Sequence, residues 1–251
     1  MTAETAEGRA ASFRALHHGR VPGDPLVLPG PWDAASARVC AEAGFPALAV
    51  PSAAVAAALG YEDGGGTPAG EMFAAIRRIA RAVDVPVSAD VEDGYGLPPA
   101  ELAGRLLEAG AVGCNLEDSV HREVVRLRDA AEQADYLAAV REAAGDGLFL
   151  NARTDTFLRG NAGPGAAAEE AVARGRRYAA AGADGIYPIM APPDRLPLLA
   201  DEIGLPLNAL ATPDGPSPRE LGALGAGRVT FGPGVQRRAL AALREIVTGL
   251  G

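Results

Sequence analysis

The chain has 251 residues, 48% of them hydrophobic and 22% charged, with a formal net charge of −9. That balance is globular, and an acidic surplus with scattered basic residues excludes the phosphate-neutralising surface of a nucleic-acid binder. No apolar run reaches the roughly 18 residues of a membrane helix, and the opening Met-Thr-Ala-Glu lacks the blocks of a signal peptide, so a cytoplasmic protein without membrane partners is expected.

Residues 1–10, polar and rich in Gly and Ala, read as a flexible N-terminus, and residues 11–251 as one domain. His17-His18 falls at a helix end with no nearby ligand pair and reads as structural. Four segments then repeat one grammar, a helix closed by Gly and followed by a short apolar run: Glu42-Ala-Gly44, Glu108-Ala-Gly110, Ala180-Ala-Gly182 and Ala223-Leu-Gly225. Glycine supplies the left-handed helix stop, and the runs are too short and too apolar for half-exposed antiparallel strands. Filling the gaps predicts strands near 26–28, 47–50, 86–90, 112–117, 148–152, 185–189, 206–210 and 228–232, with helices between them. Thr67-Pro68 and Ser217-Pro-Arg-Glu220 mark two helix starts. Cys40 and Cys114 lie inside apolar patterns and read as reduced core thiols.

Alternating strands and helices make an α/β fold. Val27-Leu-Pro-Gly-Pro-Trp-Asp33 has no Gly-rich dinucleotide turn, so the expectation is a single-domain (β/α)8 TIM barrel rather than an open nucleotide-binding sheet. The strand ends then carry Trp32 and Asp33, Ser52, Asp90 and Glu92, Glu117 and Asp118, Arg153 and Asp155, Tyr187 and Asn208, all directed to one rim. Carboxylates gathered at the ends of apolar runs need a compensating charge, either salt bridges or a cation. Asp90, Glu92 and Glu117, with Asp63 from the loop Gly60-Tyr-Glu-Asp63, suit a hard cation such as Mg²⁺ and equally suit a polar network. Zinc is disfavoured because His and Cys are absent from the set. Arg153 is open to two readings, an ion pair with Glu117 or Asp155 and a bidentate clamp on a substrate carboxylate.

Four segments sharpen this picture: Trp32-Asp-Ala-Ala-Ser-Ala-Arg38, Asp90-Val-Glu-Asp-Gly-Tyr-Gly96, Asn115-Leu-Glu-Asp118 and Asn151-Ala-Arg-Thr-Asp155. In content, order and spacing the chain resembles the isocitrate lyase/phosphoenolpyruvate mutase superfamily over about residues 11 to 245. The resemblance implies that Asp90 holds Mg²⁺ directly, with Mn²⁺ as a substitute, and that Asp63, Glu92 and Glu117 act through bound waters. It implies that Arg153 receives the carboxylate of a small 2-oxo acid, with Arg153, Glu117 and Asp63 as the catalytic set and a metal-chelated pyruvate enolate as the common chemistry. Trp32, Ser52, Ala53, Tyr187 and Asn208 complete the expected substrate site, with Thr212 behind them.

The departures are specific. Ser119-Val-His-Arg-Glu-Val-Val-Arg-Leu-Arg128 lacks the Cys of the superfamily's cleaving loop, and His121 and Arg122 read as a solvated loop. Pro51 has no N–H to offer a substrate, leaving the Ser52 amide and hydroxyl. Pro233 likewise weakens a phosphate reading of Gly232-Pro-Gly234. Asp93 is expected only to shape a turn. The expected activity is a lyase or decarboxylase acting on an oxaloacetate-like acid. A phosphonopyruvate P–C bond enzyme and a non-catalytic 2-oxo acid binder are the alternatives. A homodimer or homotetramer packed through barrel helices is expected, since the chain ends too soon after its last helix to exchange it.

Overall fold

A computed structural model describes residues 6–121, 125–160 and 163–250. Eight parallel strands form one curled sheet: β1 (Leu26–Val27), β2 (Leu48–Val50), β3 (Val87–Asp90), β4 (Gly113–Glu117), β5 (Phe149–Thr154), β6 (Gly185–Pro188), β7 (Leu207–Leu210) and β8 (Ala226–Thr230). The ladder runs β1-β8-β7-β6-β5-β4-β3-β2. Between β1 and β2 the described residues form no ladder, and one bond, from the Ala49 N–H to the Pro29 carbonyl at 3.1 Å, crosses the seam. Pro29 and Pro31 flank that seam and have no N–H to give it, which shortens β1. The architecture is the expected single-domain TIM-barrel type.

Gly44, Gly110, Gly182 and Gly225, the four predicted helix stops, all take positive φ between 84° and 103°. A side chain there would strain the left-handed turn that feeds each strand. The capping box at Ser217 and Glu220 forms. Thr67 is not a cap: the helix Ala69–Ala80 begins after Pro68, and the Thr67 hydroxyl is buried without a partner among the described residues. Asp33 is spent on another box, its carboxylate accepting from Ser36 N at 2.7 Å, so it serves the helix Ala34–Glu42 rather than the rim.

Side-chain alternation divides the core. Leu48, Val50, Ala89, Leu116, Leu150, Ala152, Ile186 and Val229 point outward against the helices. Leu26, Leu28, Ala47, Ala49 and Phe149 point inward and meet Ala10 and Phe13 from below. Residues 6–10 were therefore misread: they belong to the helix Ala6–Ala15, whose Ala10 and Phe13 plug the barrel floor. Asp184 staples that helix, pairing with Arg14 at 3.1 Å and with Arg141. Both cysteines are free and buried, and burial pushes the Cys114 thiol up to about 12. The arginines are less scattered in space than along the chain, since Arg77, Arg78, Arg81 and Arg105 line one outer cleft, interleaved with Glu101 and Glu108. No helix among the described residues is long and apolar enough to cross a membrane.

His17 completes the floor. Its Nδ1–H donates to the Phe13 carbonyl at 2.9 Å, and its ring stacks on Phe149 with centroids 4.0 Å apart. Burial, with Arg228 nearby, lowers its pKa to about 3. The unfolded imidazole takes a proton below its ordinary value of about 6.5 and the folded one does not. Stability from this residue is therefore complete above that value and declines as pH falls toward 3. A His17→Phe variant is expected to lose about 2–3 kcal/mol less than the parent between pH 7.5 and 4.5 in urea unfolding. Parallel pH profiles for the two proteins would refute this.

Candidate active site

The carboxyl ends of the strands surround a cavity of about 350 Å³. Its lining is mixed: Ser52, Asp63, Asp90, Asn115 and Arg153 are polar, and Leu158, Ile189, Met190 and Leu210 are aliphatic. Thr230 and Tyr187 form part of the floor, the Tyr187 hydroxyl bonded to that of Thr230, and Arg237 stands at the rim.

Asp90 ends β3, where its Oδ1 accepts the Glu92 N–H at 3.1 Å. The turn that follows is tight: Glu92 and Tyr95 take φ of 50° and 54°, and Asp93 Oδ1 accepts the Tyr95 N–H at 2.9 Å. Asp93 thus shapes the turn. At Gly94, with φ of 86°, an added Cβ would sit 2.6 Å from the Tyr136 hydroxyl oxygen, so only glycine fits. Glu92 is turned inward, one carboxylate oxygen accepting the Gly65 N–H. Its other oxygen, Oε1, is buried with no partner among the described residues.

Glu117 and Arg153 are direct ladder neighbours on β4 and β5. The Arg153 Nη1 lies 2.6 Å from Glu117 Oε2 and 3.7 Å from Asp90 Oδ2. Its Nε and Nη2 donate to Asp155 at 2.7 and 3.0 Å. Both bland partners of Arg153 are therefore real, and the fork edge formed by Nε and Nη2 belongs to Asp155 rather than to a ligand. Asp155 is itself fixed, accepting from the Ser119 hydroxyl at 2.5 Å and donating its N–H to Asp118 at 2.9 Å.

Asp63 Oδ1 accepts from the Ser52 hydroxyl at 3.3 Å. Ser52 opens the helix Ser52–Leu59, capped by no side chain at Pro51. Its first-turn amides have no intrahelical partner and carry the positive end of the helix dipole toward the cavity. The loss of one donor at Pro51 is thus offset by a feature the sequence reading missed, a helix N-terminus aimed at the site.

The electrostatics are lopsided. Burial, followed by Asp90 and Asp63, raises Glu92 to about 8. Burial also raises Glu117 to about 7 against the pull of Arg153, and raises Asp90. Arg153, with one positive charge, faces Asp90, Glu117 and Asp155. Among the described residues, no three His, Cys, Asp or Glu side chains converge closely enough to cage a metal unaided.

Other expected positions separate. Trp32 is half-buried against the outer core and does not line the cavity. Asn208 is fully buried below it, accepting from Asn151 at 3.3 Å and donating to Thr230 at 3.0 Å. Thr212 is exposed and borders a different depression with Pro213 and Phe231. Ala53 lines the cavity, while Glu92 and Glu117 are buried behind its lining. His121 is no solvated loop residue: a short hairpin, Ser119–Val120 against Arg126–Leu127, holds it inward, where its Nε2 pairs with Glu117 Oε1. That bond raises its pKa. Arg122 lies outside the described residues. Asn115 was overlooked as a lining residue, although it stands two positions before Glu117 and must face the same way.

Comparison with known proteins identifies the family and the fold. A family model described as phosphoenolpyruvate phosphomutase matches residues 13–250. A candidate phosphonomutase from Burkholderia cenocepacia J2315 is 40% identical, with a TM-score of 0.88 over 96% of this chain and 99% of that one. The 2-methylisocitrate lyase of Bacillus subtilis strain 168 is 31% identical over 84% of this chain and 70% of its own length. Oxaloacetate acetylhydrolase, solved with the inhibitor 3,3-difluorooxalacetate, is 25% identical with a TM-score of 0.83, covering 97% of this chain and 87% of that one. Motifs, barrel and matched length together place the chain in the phosphoenolpyruvate phosphomutase family of the isocitrate lyase/phosphoenolpyruvate mutase superfamily.

Proposed function

We propose that this protein is a Mg²⁺-dependent lyase or decarboxylase that breaks the C3–C4 bond of a small 2-oxo acid, leaving the electron pair on C3 as a pyruvate-type enolate. The observation that carries the reading is the mixed lining of the cavity, which brings Asp63, Asp90 and Arg153 together with the aliphatic Leu158, Ile189, Met190 and Leu210. The donors fit a hard cation: they are all oxygens, they exceed the local positive charge, and the Glu92 Oε1 is buried without a partner among the described residues. Asp90 would hold the ion directly, and Asp63, Glu92 and Glu117 through waters; Mn²⁺ would substitute. When bound, the cation supplies positive charge where negative charge develops on the 2-oxo oxygen.

The protein's own groups do the rest. The first-turn amides at Ser52 and Ala53, with Arg153, receive and orient the substrate carboxylate. Asp155 fixes the Arg153 plane, so little ordering is left to the moment of binding. The Glu117–His121 pair, behind the cavity lining, shares a proton between Oε1 and Nε2 and reaches the site through Arg153, which Glu117 also holds. Leu158, Ile189, Met190 and Leu210 offer apolar surface to the carbon substituent of the leaving half. Incubation of the Mg²⁺-loaded protein with oxaloacetate and its alkylated analogues should yield pyruvate-type products or CO₂, and no turnover across that panel would sink the reading.

Similarity to the Burkholderia candidate phosphonomutase favours a second reading, P–C bond chemistry on phosphonopyruvate. Phosphorus NMR separates the two, because migration or loss of the phosphonate signal occurs only in the second. The aliphatic side chains Leu158, Ile189, Met190 and Leu210 in the lining favour the first, since they suit a carbon substituent better than a dianion.

A homodimer or homotetramer is the proposed assembly. The helix Gly234–Thr248 leaves Leu240, Leu243, Ile246 and Val247 at least half exposed along one stripe, which supports packing between copies through this helix. Light scattering at micromolar concentration should report an oligomer, and a monomer there would contradict the assignment.

A further inference from the structure

The barrel interior holds a cation that the mechanism above does not use. Arg228 on β8 points inward and is 1% exposed. No carboxylate pairs with it among the described residues, and its Nε and Nη1 find no acceptor there. Its one hydrogen bond among the described residues runs from Nη2 to the Asn115 Oδ1, at 3.2 Å. Burial pushes the guanidinium down to about 10, a measure of how poorly this place suits a charge. Besides that bond it meets only the face of the Phe13 ring, 5.9 Å from the guanidinium carbon to the ring centroid, among the described residues. A buried cation without a carboxylate partner weakens a fold, and an aliphatic residue of similar volume would ordinarily be as stable or more so. Stability therefore does not account for Arg228.

Its contact does. The Asn115 Oδ1 accepts twice, from Arg228 and from the Asn151 amide at 2.8 Å. Two donors on the oxygen decide which way the Asn115 amide faces, so its Nδ2 is left for Asp90, with which Asn115 is hydrogen-bonded. Asp90 and Asn115 are also direct ladder neighbours, so the two side chains leave the sheet at the same height. We propose that Arg228 is a positioning residue for the Asp90 carboxylate, acting through the Asn115 amide. This inference rests on the reading of Asp90 as the direct ligand of a divalent cation. Arg228 touches neither substrate nor cation, and its effect is on where Asp90 points before either arrives.

The test is Mn²⁺ binding to the full chain, followed by electron paramagnetic resonance, with the melting temperature measured in parallel. Arg228→Met should melt at or above the parent temperature and yet bind Mn²⁺ about tenfold more weakly, the scale expected when the support behind a metal ligand is removed. Asn115→Leu should show the same loss, and the double variant no further loss, because both changes cut one relay. Unchanged Mn²⁺ affinity in either single variant, or losses that add in the double, would overturn the proposal. So would an Arg228→Met protein that no longer folds, which would assign the residue to the fold. A parent protein that binds no Mn²⁺ would instead sink the cation reading itself, a distinct result seen before any variant is made.

Discussion

Asp90→Ala should abolish cation-dependent binding of 2-oxo acids, whereas Asp93→Ala should retain it. The two carboxylates are three residues apart and both buried, yet they face different tasks. Asp90 lines the cavity, held toward it by the Glu92 N–H, with Arg153 at 3.7 Å. Asp93 turns back on its own loop to accept the Tyr95 N–H, so its loss removes about one hydrogen bond, worth roughly 1 kcal/mol of stability. Removing a direct ligand should exceed the roughly 100-fold that loss of a supporting partner costs in metal affinity. Calorimetry of a 2-oxo acid at saturating Mn²⁺ checks both variants, and equal losses would count against the assignment.

The second large effect is on stability. Asp118 is fully buried, and its Oδ2 accepts from the Tyr178 hydroxyl at 2.8 Å and from Arg174 Nη1 at 3.2 Å. Its Oδ1 accepts the Asp155 N–H, so the residue that clamps Arg153 hangs from it. Arg174 is only 7% exposed, and without Asp118 its charge would keep just the half-exposed Glu170 as a carboxylate partner. Asp118→Ala should cost about 3–5 kcal/mol, the usual penalty for stranding one member of a buried pair. Urea unfolding measures this directly, and a loss below about 1 kcal/mol, the size of one ordinary hydrogen bond, would show that the network is dispensable.

How far the sequence led depended on whether local chemistry or tertiary packing made the decision. The strands were legible because Gly44, Gly110, Gly182 and Gly225 each demand a backbone that other residues adopt at a cost, and each stands directly before an apolar run. Asp63, Asp90, Glu117 and Arg153 were legible as strand-end and loop residues, and they do meet. Trp32 and Asn208 were misplaced because a strand end specifies a rim but not a depth. Asn208 faces the interior one layer too low, and Trp32 leans outward onto the core. His121 was read as solvated because nothing in Ser119-Val-His121 announces that the hairpin folds back on Glu117. Arg228 carried no signal at all. An arginine in an apolar strand reads as a rim residue, and only the ladder, which sets it beside Asn208, shows that it is inside.

The central claim is that the acidic rim of this barrel holds a divalent cation that in turn holds the substrate. Calorimetric titration of oxalate, a planar mimic of a pyruvate enolate, tests it in two arms, one with Mg²⁺ and one with the metal removed by a chelator. The account predicts saturable binding with Mg²⁺ and none without it, and equal binding in the two arms would contradict it.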